Sequence, residues 1–343
     1  MRQADSSLRY SAFIALLLAA LVLSGLLSLG LGAAQMSPGR LLGILAYKAG
    51  LAPGGDWSAG QEHIVWLIRA PRVLLGMFVG AGLALIGSAL QAATRNPLAD
   101  PHLLGVSSGA ALGAVLVMLY IGEFIGSASL PLAAFLGALG STGVVLLVAR
   151  RGGRFDSERL VLSGVAVSFV LSALTSLLLF TGDHHAASSV IFWMLGGLGS
   201  ARWELVWLPA VSVAAAGMAL VAWARPLNAL MAGEQTAVSL GIGPARLRLF
   251  IFVSTSALTA VLVSLTGAIG FVGLMVPHVA RRLVGADHRR LIPVAALMGA
   301  LFVVWVDAFA RTALAPQDLP IGIGTGLLGG LYFIYLLWRR DGR

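Results

Sequence analysis

The sequence predicts an all-α membrane protein with about ten transmembrane helices per chain, and three observations lead to this fold class. Of the 343 residues, 58% are hydrophobic and only 11% are charged, and the mean hydropathy is +0.92. Soluble domains carry about 25% charged residues. A water-soluble globular protein is therefore excluded, and so is intrinsic disorder, which requires low hydrophobicity. The 43 glycines are typical of closely packed membrane helices.

Ten apolar runs approach the length of about 20 residues that spans a bilayer. Their approximate ranges are 10–33, 64–92, 103–121, 130–149, 160–180, 204–224, 249–267, 269–284, 292–314 and 321–338. The uncharged stretch 250–280 is too long for one span, and Gly267, Gly270 and Pro277 divide it into two helices. A shorter apolar piece, 188–198, is interpreted as a partial or re-entrant helix. The chain 1–343 is then a single transmembrane domain.

The first run has two interpretations, a cleaved signal peptide or a retained first helix. It follows Arg9 and ends near Ala33, as a signal peptide would. Its apolar core is longer than the roughly 7–15 residues of a signal peptide. We therefore expect an uncleaved helix.

The distribution of basic residues predicts the orientation. Ten spans place both termini on one side, and cytoplasmic loops carry an excess of Lys and Arg. With the N-terminus inside, the inner segments hold 17 of the 23 basic residues. Both termini are therefore expected in the cytoplasm. The net charge of +9 is explained by these loops, and no nucleic-acid partner is expected.

Two short motifs match known nucleotide or nucleophile signatures, but their contexts are wrong. The G-x-G-x-x-G at 324–329 and the G-x-S-x-G at 105–109 lie in apolar helices without a preceding strand. Glycines four apart, as in Gly76/Gly80 and Gly109/Gly113, instead favour close helix packing. No Walker A loop is present, so an ATP-driven process would need ATP and Mg on another chain. We expect no metal site, no cofactor and no catalysis in this chain.

Three basic residues break the charge rule at the outer ends of the predicted helices: Arg69, Arg72 and Arg311. One interpretation is snorkelling, with an i,i+4 pair between Asp307 and Arg311. The other is a basic outer rim that docks an acidic partner and sets its orientation and on-rate. Both remain open at this point.

Two cytoplasmic segments carry further candidate features. The stretch 227–243 is amphipathic, so it is predicted to be a surface helix that fits a partner's groove, or one that lies on the membrane interface. The turn 95–101 contains Pro97 and Pro101, which enforce a non-helical conformation. This turn is either a gate at the inner mouth of a pore or an ordinary loop.

Alternatives from other functional classes have little support. Proton-coupled carriers usually show relays of intramembrane carboxylates or histidines, and Asp307 is the only acid well inside a predicted span. A secondary transporter is therefore a distant alternative. A membrane-embedded enzyme would need a convergent acid, base or metal set, and none is evident.

Taken together, six segments resemble the FecCD-type permeases, the membrane subunits of bacterial ABC importers for vitamin B12, haem and ferric siderophores. The resemblance covers about residues 10–338. The segments are Arg-Ala-Pro-Arg at 69–72, the run 91–101 with 104–105, Trp-Met-Leu-Gly-Gly at 193–197, and the runs 233–241, 270–281 and 319–322.

The resemblance implies a type II ABC importer permease of ten helices in the bacterial inner (cytoplasmic) membrane. It implies a homodimer around a central pathway, two ATPase subunits on the cytoplasmic side that bind ATP and Mg, and a periplasmic substrate-binding protein. Site residues follow by position: Arg69, Arg72 and Arg311 for binding-protein docking; Asn96 and Leu98 for the cytoplasmic gate; Gly233, Glu234, Ala237, Leu240 and Gly241, within a coupling region of about 227–246; and Gly322, Gly326 and Gly330 for the dimer and pathway helix.

The substrate predicted from the sequence is haem, with a ferric siderophore or vitamin B12 as the alternative. The stretch 193–197 and the outer-loop residues His184 and His185 favour haem, because histidine can ligate haem iron. The competing interpretation of the two histidines is a solvated loop.

Overall fold

The computed structural model describes residues 2–32, 34, 36–150 and 157–340, and most of these residues are helical. The α-helices in this part of the chain are α1 Arg2–Gly30, α2 Pro38–Lys48, α3 Ala59–His63, α4 Ala70–Thr94, α5 Val106–Leu116, α6 Ser129–Ala149, α7 Ser157–Thr181, α8 His184–Met194, α9 Trp203–Ala222, α10 Ala224–Ala232, α11 Glu234–Ser239, α12 Pro244–Thr266, α13 Val272–Val284, α14 His288–Thr312 and α15 Ile321–Arg340. π-helical segments join α3 to α4 and extend α5 to Ile121.

The predicted apolar runs coincide with helices. Seven helical segments in the described residues are long and apolar enough to cross a membrane, and Val106–Ile121 and Ile321–Leu336 are shorter apolar helices. The all-helical prediction is confirmed, and so is the division of the stretch 250–280, because α12 ends at Thr266 and α13 begins at Val272. Helix α13 has 13 residues, or about 20 Å. It is shorter than the predicted span 269–284, and alone it does not cross a hydrocarbon core of about 30 Å.

Helix α4 is the centre of the bundle, and small residues let its neighbours approach closely. A Cβ added at Gly80 would lie 2.1 Å from the carbonyl oxygen of Gly299 in α14, and one at Gly87 would lie 1.7 Å from that of Gly273 in α13. Helices α5 and α6 meet in the same way at Gly109 and Gly137. The interpretation of Gly80, Gly109 and Gly113 as close-packing positions is confirmed.

Helices on the outside of the bundle expose apolar side chains, as expected for a surface in contact with lipid. In α7, Phe169 and Phe180 are 74% and 80% exposed, and in α9 Met218 is 70% exposed. Exposure of such a surface to water would be unfavourable. Exposure to lipid is not, because lipid tails are as apolar as these side chains. Helix α4, by contrast, lies in the interior, and a polar cluster is found at each of its two ends.

Candidate functional site

One cluster at the start of α4, here called the arginine cluster, consists of Arg69, Arg72, Asp307, Arg311 and Asp318. Asp307 is 1% exposed and bridges two cations. Arg72 Nε donates to its Oδ1 and Arg311 Nε donates to its Oδ2, both at 2.9 Å. Arg72 also pairs with the half-exposed Asp318, in the loop before α15. The i,i+4 pair expected between Asp307 and Arg311 is present.

The arginine cluster also holds the end of α1. The last carbonyl groups of a helix have no partner within the helix. Arg69 donates to the carbonyl oxygens of Leu29 at 2.9 Å and Ala34 at 2.7 Å, and Arg311 donates to those of Ser28 and Leu31, both at 3.0 Å. Cations at this end are also favoured by the helix dipole. The cluster therefore ties α1 to α4 and α14.

Burial changes how the three arginines are interpreted. Arg69, Arg72 and Arg311 are 5%, 7% and 6% exposed, so in this chain they form an internal network and not a solvent-facing rim. Asp318, whose side chain is 41% exposed, is the acidic member nearest to solvent. The docking role of the arginines remains a prediction, and the structure adds a structural role.

The other end of α4 leads into the candidate gate. Arg95 ends α4 in the left-handed conformation, with φ +51°. In the turn that follows, the Leu98 N–H donates to Asn96 Oδ1 at 2.9 Å, and the Ala99 N–H donates to the Asn96 carbonyl oxygen at 3.2 Å. This side-chain-capped turn leaves Leu98 50% exposed. The predicted gate residues therefore lie together on a defined turn.

A cavity of about 650 Å³ lies beside this turn. Its lining residues are Asn96, Pro97, Leu98, His278, Arg281, Arg282, Phe333 and Leu336. Arg281 Nη2 donates to Gln91 Oε1 at 3.1 Å, and Gln91 in turn donates to the carbonyl oxygen of Leu274. Two arginines and no carboxylate among the lining residues make this opening suited to neutral or anionic groups.

The segment predicted as one amphipathic helix over 227–243 forms two, α10 and α11, separated at Gly233. Gly233 has φ +132° and ψ 158°, a conformation that disfavours any side chain. Gly241 ends α11 with φ +75°. Leu230 and Ala237 are fully buried against this chain, whereas Val238 and Leu240 are 60% and 65% exposed.

The members of the predicted coupling set therefore face in different directions. The side chain of Ala237 packs inward, Leu240 faces outward, and Glu234 points to the end of α4. Arg248, in α12, pairs with Glu234, and Arg95 Nη2 lies 4.0 Å from Glu234 Oε1. We call Glu234, Arg248 and Arg95 the Glu234 cluster.

A second attachment holds α10. Asn228 Nδ2 donates to Asp287 Oδ1 at 2.7 Å, and Asn228 Oδ1 accepts the N–H of His288 at 2.9 Å. Burial alone would raise the pKa of Asp287, but hydrogen bonds from Asn228 and the Arg289 backbone, with the nearby cations, lower it overall. The carboxylate is therefore ionised at neutral pH and fixes α10 to the turn between α13 and α14.

A smaller cavity of about 230 Å³ lies between α5, α7 and α8. Five hydroxyl residues contribute to its lining, together with Trp193 and Met194: Ser107, Ser108, Ser172, Thr175 and Ser176. The Ser107 hydroxyl is buried and has no hydrogen-bond partner. No charged residue is among the lining residues, so this cavity is suited to uncharged hydrogen-bonding groups.

The glycines of α15 divide into two groups. A Cβ at Gly322 would lie 2.1 Å from the carbonyl oxygen of Leu195, so Gly322 packs within this chain. Added Cβ atoms at Gly326 and Gly330 would have nothing within 4 Å. They lie beside Leu327 and Ile334, which are 63% and 66% exposed. Their predicted role at a dimer or pathway surface stays a prediction.

His184 and His185 begin α8, and their side chains lie outside the described part of the structure. Their predicted substrate contact is therefore not addressed by the geometry. Among the described residues, no group of three or more His, Cys, Asp or Glu side chains is arranged to hold a metal ion.

Sequence reasoning missed Arg248, Asp318 and Asn228 as site residues. Arg248 entered only as one of the basic residues of an inner segment. Asp318 directly precedes Leu319 in the sequence, and Asn228 is the second residue of the amphipathic stretch 227–243. No local pattern distinguishes them, because their partners are distant in the sequence.

Comparison with known proteins gives consistent matches. The FecCD transport family matches residues 20–339. A cobalamin import system permease of Halobacterium salinarum is 43% identical over 302 residues, covering 87% of this chain and 79% of its own length. A vitamin B12 import system permease of Salmonella typhimurium is 41% identical over 301 residues, covering 87% and 91%. A metal-chelate type ABC transporter solved in an inward-facing conformation has a TM-score of 0.83 at 32% identity, covering 96% of this chain and 99% of its own.

Proposed function

Because this chain belongs to the FecCD transport family and is a membrane permease subunit of an ABC importer, we propose that it carries vitamin B12 into the cytoplasm. ATP hydrolysis belongs to a separate ATPase subunit in this family, and the permease itself is not catalytic. The observation that carries the proposal is the 41–43% identity to B12 permeases over 87% of the chain. Haem, the main sequence-based prediction, has no comparable support.

The hydroxyl-lined cavity of about 230 Å³ is too small for the whole of any candidate substrate, but its lining suits peripheral groups of the same substrate. Vitamin B12 carries peripheral carboxamides, and hydroxyl groups can both donate to and accept from amides. Haem carries carboxylates and an iron that takes axial ligands, and the cavity offers neither a cation nor a histidine among its lining residues. A ferric siderophore remains the second candidate, because the structural neighbour is described as a metal-chelate type transporter.

The substrate assignment is tested by uptake into proteoliposomes that contain the permease with its ATPase and binding protein. We expect ATP-dependent uptake of labelled vitamin B12 that excess unlabelled vitamin B12 abolishes and excess haem does not. An ATPase subunit with its Walker A lysine replaced provides the background. Uptake of haem or a ferric siderophore, with none of vitamin B12, would overturn the assignment and leave the importer family unchanged.

The proposed complex contains two copies of this permease and two ATPase subunits in the bacterial inner membrane, with both termini cytoplasmic. The open surface of α15 at Gly326 and Gly330 supports contact with the second copy across the pathway. Each ATPase, with its ATP and Mg, would dock on the exposed apolar side chains of α11 and the turn after it.

The coupling surface predicts a specific loss of the partner. Val238 and Leu240 project into water in the isolated chain, and burial of each in a groove would contribute about 1.5–3 kcal/mol. Val238→Asp with Leu240→Asp is therefore expected to release the ATPase during affinity purification. For the unaltered complex, light scattering should give the molar mass of two permeases with two ATPases. The matched control is Val238→Ile with Leu240→Met, which keeps both side chains apolar and should retain the ATPase; equal retention in both pairs would contradict this docking surface.

Docking of the periplasmic binding protein is proposed at the arginine cluster. The exposed carboxylate of Asp318 already pairs with Arg72, so an acidic group of the binding protein would compete with it. Such exchange sets orientation and on-rate more than affinity. An association rate that does not fall as salt concentration rises would contradict this docking mode.

The proposed mechanism is alternating access. ATP would close the paired ATPases, α10 and α11 would move, and the two permeases would open alternately to each side. Direction would come from the different affinities of the two states for ATP and for the loaded binding protein.

A further inference from the structure

Arg248 joins the proposed ATPase-docking segment to the gate. The residue is 5% exposed, although it lies near the start of α12. Nε donates to the carbonyl oxygen of Ala93 at 3.0 Å, and Nη2 donates to Glu234 Oε1. One side chain therefore contacts both the last turn of α4 and the first residue of α11.

The contact with Ala93 fixes the end of α4. Ala93 belongs to the last turn, whose carbonyl groups lack partners within the helix. A buried cation there satisfies one carbonyl and lies at the negative end of the helix dipole. The chain then continues through Arg95 into the turn of Asn96 and Leu98, so a shift of this helix end displaces the gate turn.

The contact with Glu234 connects to the part of the docking segment that is able to move. Helix α10 is fixed by Asn228 to the turn before α14, and Gly233 separates α10 from α11. A rotation of α11 about Gly233 would carry Glu234 with it. Because the Glu234 side chain is 49% exposed and that of Arg248 is 6% exposed, the carboxylate is the end able to move and the guanidinium is the fixed end.

We propose that Arg248 is the positioning residue that transmits movement of α11 to the cytoplasmic gate, through Glu234 on one side and the Ala93 carbonyl on the other. An arginine is suited to this role because its planar guanidinium makes two directed bonds at once, whereas a lysine offers a single point charge. Arg95, 4.0 Å from the same carboxylate, provides a second cation on the gate turn itself. The inference rests on the proposed ATPase partnership, and it does not depend on the substrate.

The gate can be followed by thiol chemistry, because the chain has no cysteine. Leu98→Cys places one thiol on the gate turn of each copy, and maleimide labelling is read on the band of this chain. The complex with its ATPase is compared without nucleotide and with ATP trapped by vanadate. We expect trapping to change the labelling rate, and Arg248→Gln to lose most of that change while the ATPase stays bound and hydrolyses ATP.

Arg246→Gln is the matched control, because Arg246 is an exposed arginine in the same helix turn; it should keep the nucleotide-dependent change. If Arg248→Gln does not fold, Glu234→Gln removes the same link from its exposed side and should lose the change. A full nucleotide-dependent change in either link variant would overturn the proposal. The proposal would also be overturned if the maleimide-labelling rate of the Leu98→Cys variant, without any further substitution, were the same with and without trapped ATP.

Failure of the proposed function is visible separately. Vitamin B12 is absent from the labelling measurement, so a wrong substrate leaves its result unaffected. Failure of the ATPase to co-purify with the unaltered chain would refute the partnership itself and with it the inference.

Discussion

Asp307→Asn is expected to cause the largest loss of stability among single charge-neutralising substitutions in this chain. The carboxylate is 1% exposed and bonds both Arg72 and Arg311. Removing one partner of a buried ion pair costs about 3–5 kcal/mol, because it leaves a buried charge without compensation. Arg72 keeps its pair with Asp318, whereas the remaining hydrogen bonds of Arg311 within the described residues go to Ser28 and to the carbonyl oxygen of Leu31. The end of α1 should loosen as well, since Arg311 bonds one carbonyl in its last turn and one just after it.

The measurement is the thermal unfolding midpoint of the purified permease in detergent. Glu123→Gln is the control, because Glu123 lies in the exposed loop between α5 and α6, and surface substitutions usually change stability by less than about 0.5 kcal/mol. We expect a clear drop in the midpoint for Asp307→Asn alone. Equal midpoints would mean that the arginine cluster is not a structural network and would strengthen its assignment to docking only.

Gly87→Ala should prevent the close approach of α4 and α13. The added Cβ would lie 1.7 Å from the carbonyl oxygen of Gly273, a backbone atom that no rotamer change can move. Overpacking in a core lowers stability by about 1–3 kcal/mol and occasionally more. Because Gly87→Ala forces two helices apart, we expect its loss of stability at the upper end of that range or above it. Because Gln91 and Arg281 bond across the same helix pair, the gate cavity should be disturbed too.

Gly140→Ala provides the matched comparison in α6, where nothing lies within 4 Å of the added atom. Alanine is the better helix former by about 1 kcal/mol, so this variant should fold at least as well as the unaltered chain. The yield of monodisperse protein and its unfolding midpoint distinguish the two variants. Similar values for both would show that α4 and α13 adjust their spacing at little cost.

The positions of most helices could be predicted from the sequence alone. An apolar run and its length are properties of consecutive residues, and in lipid the backbone must satisfy its hydrogen bonds within the segment. The break near Gly267 followed from the same reasoning. The length of α13 did not, because tertiary contacts hold the loop after α12: the Gly197 N–H donates to the carbonyl oxygen of Thr266 at 2.7 Å, and an added Cβ at Gly267 would lie 2.0 Å from the carbonyl oxygen of Trp193.

Part of the candidate site also followed from the sequence. The turn 95–101 was noticed through its prolines and the stretch 227–243 through its amphipathic pattern, and only the family resemblance supplied the gate and coupling roles expected of them. The division of that region into α10 and α11 was missed. The apolar periodicity continues across Gly233, whereas the helical backbone is interrupted there.

What the sequence by itself determined was a multi-helix membrane permease, because composition, run length and motif order are all readable along the chain. What only the tertiary structure decided was the partner of each charged side chain. Arg72 and Asp307 are 235 residues apart, and Arg248 reaches Ala93 across 155 residues. Such pairs form because helix packing brings them together in a medium that makes an unpaired charge costly. Of the two interpretations of Arg69, Arg72 and Arg311 that the sequence left open, the internal pairing of Asp307 with Arg311 is therefore present, and all three side chains are buried.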